Sequence, residues 1–181
     1  MTAVQESPTT PHLTLQHARA ELDQGVLRSA FGSFPSGVVG VCAMTDDGPV
    51  GMAASSFVPV SIQPPIVAFC VQWTSSTWPV LEKAGTLGIS VLGASHDLAA
   101  RQLASKTGSR FAGLGLHTTA SGAVLLDGAG AWLECTVRDV VPAGDHGIVL
   151  LGVEALTTTP GVEPLVFHAS AFRQLQQLVA S

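Results

Sequence analysis

The hydrophobic pattern of the chain changes period once, near Pro35. Before that point Leu15, Ala18, Leu22, Val26 and Ala30 recur at helical spacing, which predicts an amphipathic helix over Leu15–Phe31 that Pro35 and Gly37 stop. Beyond it, short apolar runs alternate with turn residues. Gly37–Thr45 and Val50–Val58 flank Asp46-Asp47-Gly48-Pro49 and predict a hairpin. Pro64-Pro65 interrupts the pattern, Ile66–Trp73 predicts a third strand and Leu87–Leu92 a fourth. Thr77–Lys83 predicts a short helix with Thr77 as N-cap and Pro79 in its first turn. Ser95–Ser105 predicts a longer one, opened by Ser95 with Asp97 in its first turn. The glycine-rich stretch Gly108–Gly122 reads as loop. Trp132–Val141 and Ile148–Leu156 predict two strands around the turn Pro142–Gly147. Pro164–His168 predicts a last strand, and a helical tail follows.

About seven strands and two or three helices without βαβ alternation point to a mainly β fold. Sequential strands joined by tight turns favour an antiparallel barrel over a doubly wound sheet. Gly113-Leu114-Gly115 is the nearest approach to a dinucleotide fingerprint, and it neither follows a strand nor opens a helix. No internal repeat is visible. The 181 residues are expected to form a single domain over residues 15–181 behind a disordered tail at 1–14.

Composition sharpens this picture in three ways. Hydrophobic residues make up 46% and charged residues 12%, so part of the surface is expected to be hidden in an oligomer. A surface rich in Ser, Thr, Gly and Ala is the bland alternative. A net charge of −5 without a basic stretch argues against nucleic-acid binding. No apolar run reaches a membrane span, and the polar start Met1–Pro11 lacks the core of a signal sequence, so a cytoplasmic protein is expected. Cys42, Cys70 and Cys135 lie in separate apolar runs and match no zinc spacing; they are expected to be small buried hydrophobes.

Three segments could carry chemistry. Gly51-Met52-Ala53-Ala54-Ser55-Ser56-Phe57, with Val60-Ser61 beyond it, joins small residues to short hydroxyls at a strand end, which lets backbone N–H groups approach a planar ligand or phosphate. A close-packed strand explains the same residues. Three of the eight Lys and Arg residues, Arg101, Lys106 and Arg110, fall within one short segment beside Ser105 and Ser109, which suits an anion as well as a solvated helix face. His146, in the turn Ala143-Gly144-Asp145-His146-Gly147, can donate, accept or stack, or point into solvent. No metal-ligand spacing, nucleophile elbow or carboxylate pair is present, which leaves reaction chemistry to a cofactor.

With these residues in view the chain resembles the flavin reductase-like family of FMN-binding split barrels, the reductase components of two-component flavin-dependent monooxygenases. The likeness spans Leu27 to Leu175. Its landmarks in order are Phe34-Pro35-Ser36-Gly37-Val38, the Gly51–Phe57 segment, Val60-Ser61 with Pro64-Pro65, and Thr77-Trp78. Lys106 with Arg110-Phe111, Leu126-Asp127-Gly128-Ala129 with Leu133-Glu134-Cys135, and Gly144-Asp145-His146 complete the series.

The resemblance implies an NAD(P)H:flavin oxidoreductase that reduces FMN or FAD with NADH or NADPH and supplies a partner monooxygenase. It implies a homodimer of Greek-key split barrels with a few flanking helices, and flavin near the dimer interface. Ala53, Ala54, Ser55, Ser56 and Ser61 would hold the ring edge and phosphate, Lys106 would pair with the phosphate, and Ser36 would line the ring's other side. Thr77 and Arg110 complete the cofactor set. His146 would position the nicotinamide and Asp145 would shape its turn, with no side chain acting as acid or base. A flavin carrier or sensor of the same fold is the alternative; a pyridoxamine phosphate oxidase-like enzyme would need more cations. Ala53-Ala54-Ser55-Ser56 departs from the common Thr-Ala-Asn-Ser, which implies a looser hold on flavin. Gly147 replaces a hydroxyl or β-branched residue, which implies a more mobile His146. Phe167 stands where an aromatic hydroxyl is often found.

Overall fold

A computed structural model describes residues 18–176, so the expected tail at 1–14, residues 15–17 of the first predicted helix and the end of the chain lie outside it. The first helix, α1, is the short segment Gln24–Gly32, capped by Asp23, whose carboxylate accepts the Val26 N–H at 2.8 Å. A two-residue strand β1 (Ser36–Gly37) leads into β2 (Val39–Thr45) and β3 (Gly48–Ala54), the predicted hairpin.

The run Val50–Val58 is not one strand. It breaks after Ala54 and resumes as β4 (Val58–Ser61), which pairs with β5 (Ile66–Gln72) instead. The physical reason is Ser56. Its hydroxyl accepts the Cys70 N–H at 2.8 Å and donates to the Cys70 carbonyl at 3.3 Å, taking the place of a ladder partner for β5. There follow α2 (Trp78–Leu81), β6 (Leu87–Val91), α3 (Asp97–Ala104), the small hairpin β7 (Leu116–Thr118) and β8 (Val124–Leu126), and the long hairpin β9 (Ala131–Ala143) and β10 (His146–Thr158). The stretch expected as loop therefore contains β7, and β8 was not anticipated. Thr77 precedes α2 but does not cap it; the Trp78 N–H goes to Ser75 Oγ at 3.2 Å. Ser95 likewise makes no cap, lying in a 3-10 turn ahead of α3.

Where a helical tail is expected, the described residues form a strand and then, at 174–176, irregular chain. β11 (Val166–His168) turns through Ala169 and Ser170, both at positive φ, into β12 (Ala171–Arg173). This turn lets Phe172 reach Phe167, ring centroids 5.6 Å apart, and tertiary burial overrides helical propensity.

Seven strands form one antiparallel sheet in the order β3-β2-β6-β9-β10-β5-β4, so the two edges belong to consecutive strands and the barrel is split between them. Alternate residues of these strands, among them Val41, Phe69, Ile89, Val149 and Leu151, fill the interior with Trp78 and Leu81. The other face of β2 is covered as well: Val38, Cys42, Ala99, Ala100, Leu103, Val124 and Leu126 form a second cluster beneath α3 and β8. This double coverage explains why β2 reads as a continuous apolar run. Gly88 permits it, since a Cβ there would lie 2.2 Å from the Val124 carbonyl oxygen. No helix among the described residues is long and apolar enough to cross a membrane.

Candidate active site

Interior residues of β5 and β3 fix which neighbours face outward. With Phe69 and Val71 inside, Cys70 and Gln72 point out; with Met52 and Ala54 packed on the core, Ala53 and Ser55 point the other way. His146 lies directly opposite Gln72 in the β5–β10 register. The result is a cleft of ≈ 580 Å³ over the split of the barrel. Its floor is the small-residue segment Ala53–Ser56; Cys70, Gln72 and Thr74–Thr77 form one wall, and Leu103 and Ala104 of α3 the other, with Lys106, Arg110 and His146 at the margins.

The electrostatics are one-sided. No carboxylate lines the cleft, and the ion pairs among the described residues, His117–Asp127, Arg138–Glu154 and Asp145–His146, leave Lys106 and Arg110 without an acidic partner. Arg110 is held by neutral acceptors: Nε donates to the Ser105 carbonyl at 2.8 Å, and one terminal nitrogen donates to the Gly51 carbonyl at 2.9 Å and to Thr77 Oγ1 at 2.6 Å. Arg101, third of the clustered cations, lies elsewhere, its guanidinium 4.9 Å from the centre of the Phe172 ring.

His146 is oriented by its neighbour. Nδ1 sits 2.7 Å from Asp145 Oδ1, so the proton on Nδ1 is donated to the carboxylate and Nε2 has no protein partner among the described residues. That hydrogen bond, with the imidazole's charge, holds the Asp145 carboxyl below its ordinary value. The turn is set by tertiary contacts too. The Trp73 N–H donates to the Asp145 carbonyl at 3.1 Å, its indole N–H to Gly144 O at 3.3 Å, and a Cβ on Gly147 would lie 2.6 Å from the indole ring. Glycine at 147 is thus what allows Trp73 to lie across the turn.

Of the residues singled out in the sequence, Ala53, Ala54, Ser55, Ser56, Thr77, Lys106, Arg110 and His146 line one cleft. Ser56 spends its hydroxyl on Cys70. Ser36 and Ser61 do not line it: Ser36 pairs with Phe167 in the small sheet, and Ser61 ends β4 opposite Ile66. Phe167 borders a separate apolar cavity of ≈ 140 Å³ that shares Ala53–Ser55 with the cleft. Cys70, Gln72 and Thr74–Ser76 were missed. The hydroxyl-rich run Thr74-Ser75-Ser76, leading into Thr77, is the available signal.

The model of the flavin reductase like domain matches residues 31–176. The chain belongs to the flavin reductase-like family. Among its relatives is the actinorhodin polyketide dimerase of Streptomyces coelicolor, 41% identical over 154 residues, covering 84% of this chain and 87% of the relative. The reductase subunit HsaB of a flavin-dependent monooxygenase from Mycobacterium tuberculosis is 32% identical over 159 residues, 87% of this chain and 85% of the subunit. Among solved structures, the Streptomyces globisporus NADH:FAD oxidoreductase SgcE6, in complex with NAD and FAD fragments, superposes with a TM-score of 0.81 at 36% identity, covering 85% of this chain and 93% of that one. The flavin reductase-like cleft of this chain fits such a ligand by its own chemistry. A floor of alanines and serines admits a flat ring system, the volume falls within the range of about 300–1,000 Å³ usual for small-molecule sites, and Lys106, without an acidic partner among the described residues, matches a phosphate.

Proposed function

We propose that this protein is an NAD(P)H:flavin oxidoreductase that reduces FMN or FAD and supplies the reduced flavin to a partner monooxygenase. The observation that carries the reading is the cleft itself, where Lys106 and His146 flank a small-residue floor in a chain of the flavin reductase-like family. Flavin and nicotinamide bring the redox chemistry, a hydride passing from one ring to the other. The protein's part is to stack the two rings within about 3–3.5 Å and to keep them there. Ala53, Ala54 and Ser55 bring backbone close to the flavin ring. Lys106 supplies a compact cation for its phosphate. His146, steadied by Asp145, offers Nε2 to the nicotinamide side. Thr77 and Arg110 shape the wall between these groups. Ser56 adds backbone to the same floor while its hydroxyl is held by Cys70; Ser36 and Ser61 lie outside the cleft.

The working unit is a homodimer. Its support is the apolar surface left open on one chain: α1 buries none of its residues, Phe31 and Phe34 are exposed, and so are Val58, Val60 and Ile62 on and beside the edge strand β4. Light scattering on the purified protein should give twice the chain mass.

The deciding experiment is NADH consumption by the purified protein without flavin, with FMN and with FAD. Turnover that depends on added flavin is expected, and it ranks the two flavins at once. A protein that binds FMN yet consumes neither NADH nor NADPH would be a flavin carrier or sensor instead.

A further inference from the structure

The split of the barrel leaves a mechanical problem at the cleft. The floor hangs from β3, one wall from β5 and the residues leading into α2, and no strand ladder joins the two sheet edges. Arg110 bridges this gap. Its guanidinium reaches the Gly51 carbonyl on β3 and Thr77 Oγ1 at the start of α2, while Nε closes on the Ser105 carbonyl. The last bond ties Ser105 to Arg110 and makes the segment between them, which carries Lys106, a closed loop.

We propose that Arg110 is a positioning residue that clasps the split and holds Lys106 at the anion end of the cleft, rather than a phosphate ligand in its own right. The inference rests on the reading of this cleft as the flavin site. Three features support it. Among the described residues, Thr77 is one of two buried polar ones, at 8% exposure, and the Arg110 bond is the only one its hydroxyl makes there, so a buried polar group depends on this contact. Gly51 lets the segment after Arg110 approach β3: a Cβ there would lie 2.4 Å from Cys42 Sγ and 2.9 Å from Cζ of Phe111, the residue that follows Arg110. The bonds also use the planar fork. A lysine keeps the charge and three N–H donors, but they radiate from a single nitrogen, whereas the acceptors here are met from two, Nε and a terminal nitrogen held in one plane.

The test is the affinity of FMN and riboflavin for the full-length protein carrying R110K, K106A, both together, T77V or T77S. R110K should weaken FMN by about tenfold, comparable to the loss of one charge-assisted hydrogen bond. In the K106A background the same substitution should change FMN affinity by less than about twofold, because a residue acting through Lys106 has nothing left to position. T77V should reproduce part of the loss and T77S should restore it, which keeps the proposal testable if R110K folds poorly. A direct phosphate contact would make the R110K and K106A losses add in the double variant. A merely structural role would weaken riboflavin as much as FMN. Either result overturns the proposal. Ser55→Trp, which fills the cleft, separates the underlying reading: unchanged FMN and riboflavin binding by that variant would place flavin elsewhere and remove the basis for the whole inference.

Discussion

Replacing Lys106 by alanine isolates the electrostatic share of flavin binding. The side chain is exposed and takes part in no ion pair among the described residues, so the fold should lose less than about 0.5 kcal/mol. A phosphate monoester carries about −1.5 to −2 charges at neutral pH. One unit pair at roughly 4 Å is worth about 1 kcal/mol in water and about 4 kcal/mol at the effective dielectric of a protein surface. An exposed lysine sits toward the lower figure, so about 1.5–2 kcal/mol is expected, or roughly a 10- to 30-fold rise in the Kd of FMN. Riboflavin has no phosphate and should bind the variant within about twofold of wild type. Fluorescence titration with both flavins reads this difference, and molar salt should shrink it, since the screening length falls to about 3 Å. An equal loss for FMN and riboflavin would refute the phosphate assignment.

His146→Ala should raise the KM for NADH by roughly fivefold, the worth of about one hydrogen bond, with flavin affinity held within twofold; parallel losses of both would reassign the histidine. The same substitution should return the Asp145 carboxyl upward to its ordinary value near 3.8. Because that group's pKa is depressed in the native protein, its contribution is complete above the ordinary carboxylate value and disappears as pH falls through the depressed one. A carboxyl-detected NMR titration identical in both proteins would sink this account. Gly88→Ala places a methyl 2.2 Å from the Val124 carbonyl oxygen, a backbone atom that cannot swing aside. A loss of at least about 3 kcal/mol, or roughly 6–12 °C in Tm, should follow, and a melt within 2 °C of wild type would contradict the packing. Among the three thiols, burial pushes Cys42 and Cys135 up to about 12, whereas Cys70 lines the cleft. A thiol reagent should therefore modify Cys70 first in the native state, and FMN should slow it; labelling indifferent to FMN would argue that flavin does not cover this wall.

Much of this protein is legible in its sequence because much of it is local. The hairpins β2–β3 and β9–β10 follow from apolar runs meeting at turn residues, and Gly144, at a φ of 64°, suits the turn before His146. The ordered landmarks from Phe34 to His146 carried the family, and eight of the cleft residues came with them. What the sequence did not reveal depends on partners distant in the chain. The break after Ala54 depends on Ser56 finding Cys70, β8 on the bare Cα of Gly88, and β12 on the meeting of Phe172 with Phe167. Cys70 and Gln72 became site residues through the phase of β5, which the packing of Phe69 and Val71 decides. Arg110 could be picked out as a cation near small residues, but its partners Gly51 and Thr77 lie 59 and 33 positions away. Periodicity reports which face of an element is apolar; only closure of the sheet brings those distant acceptors within reach of one guanidinium, because side-chain hydrogen bonds extend about 3 Å and nothing in local spacing encodes them.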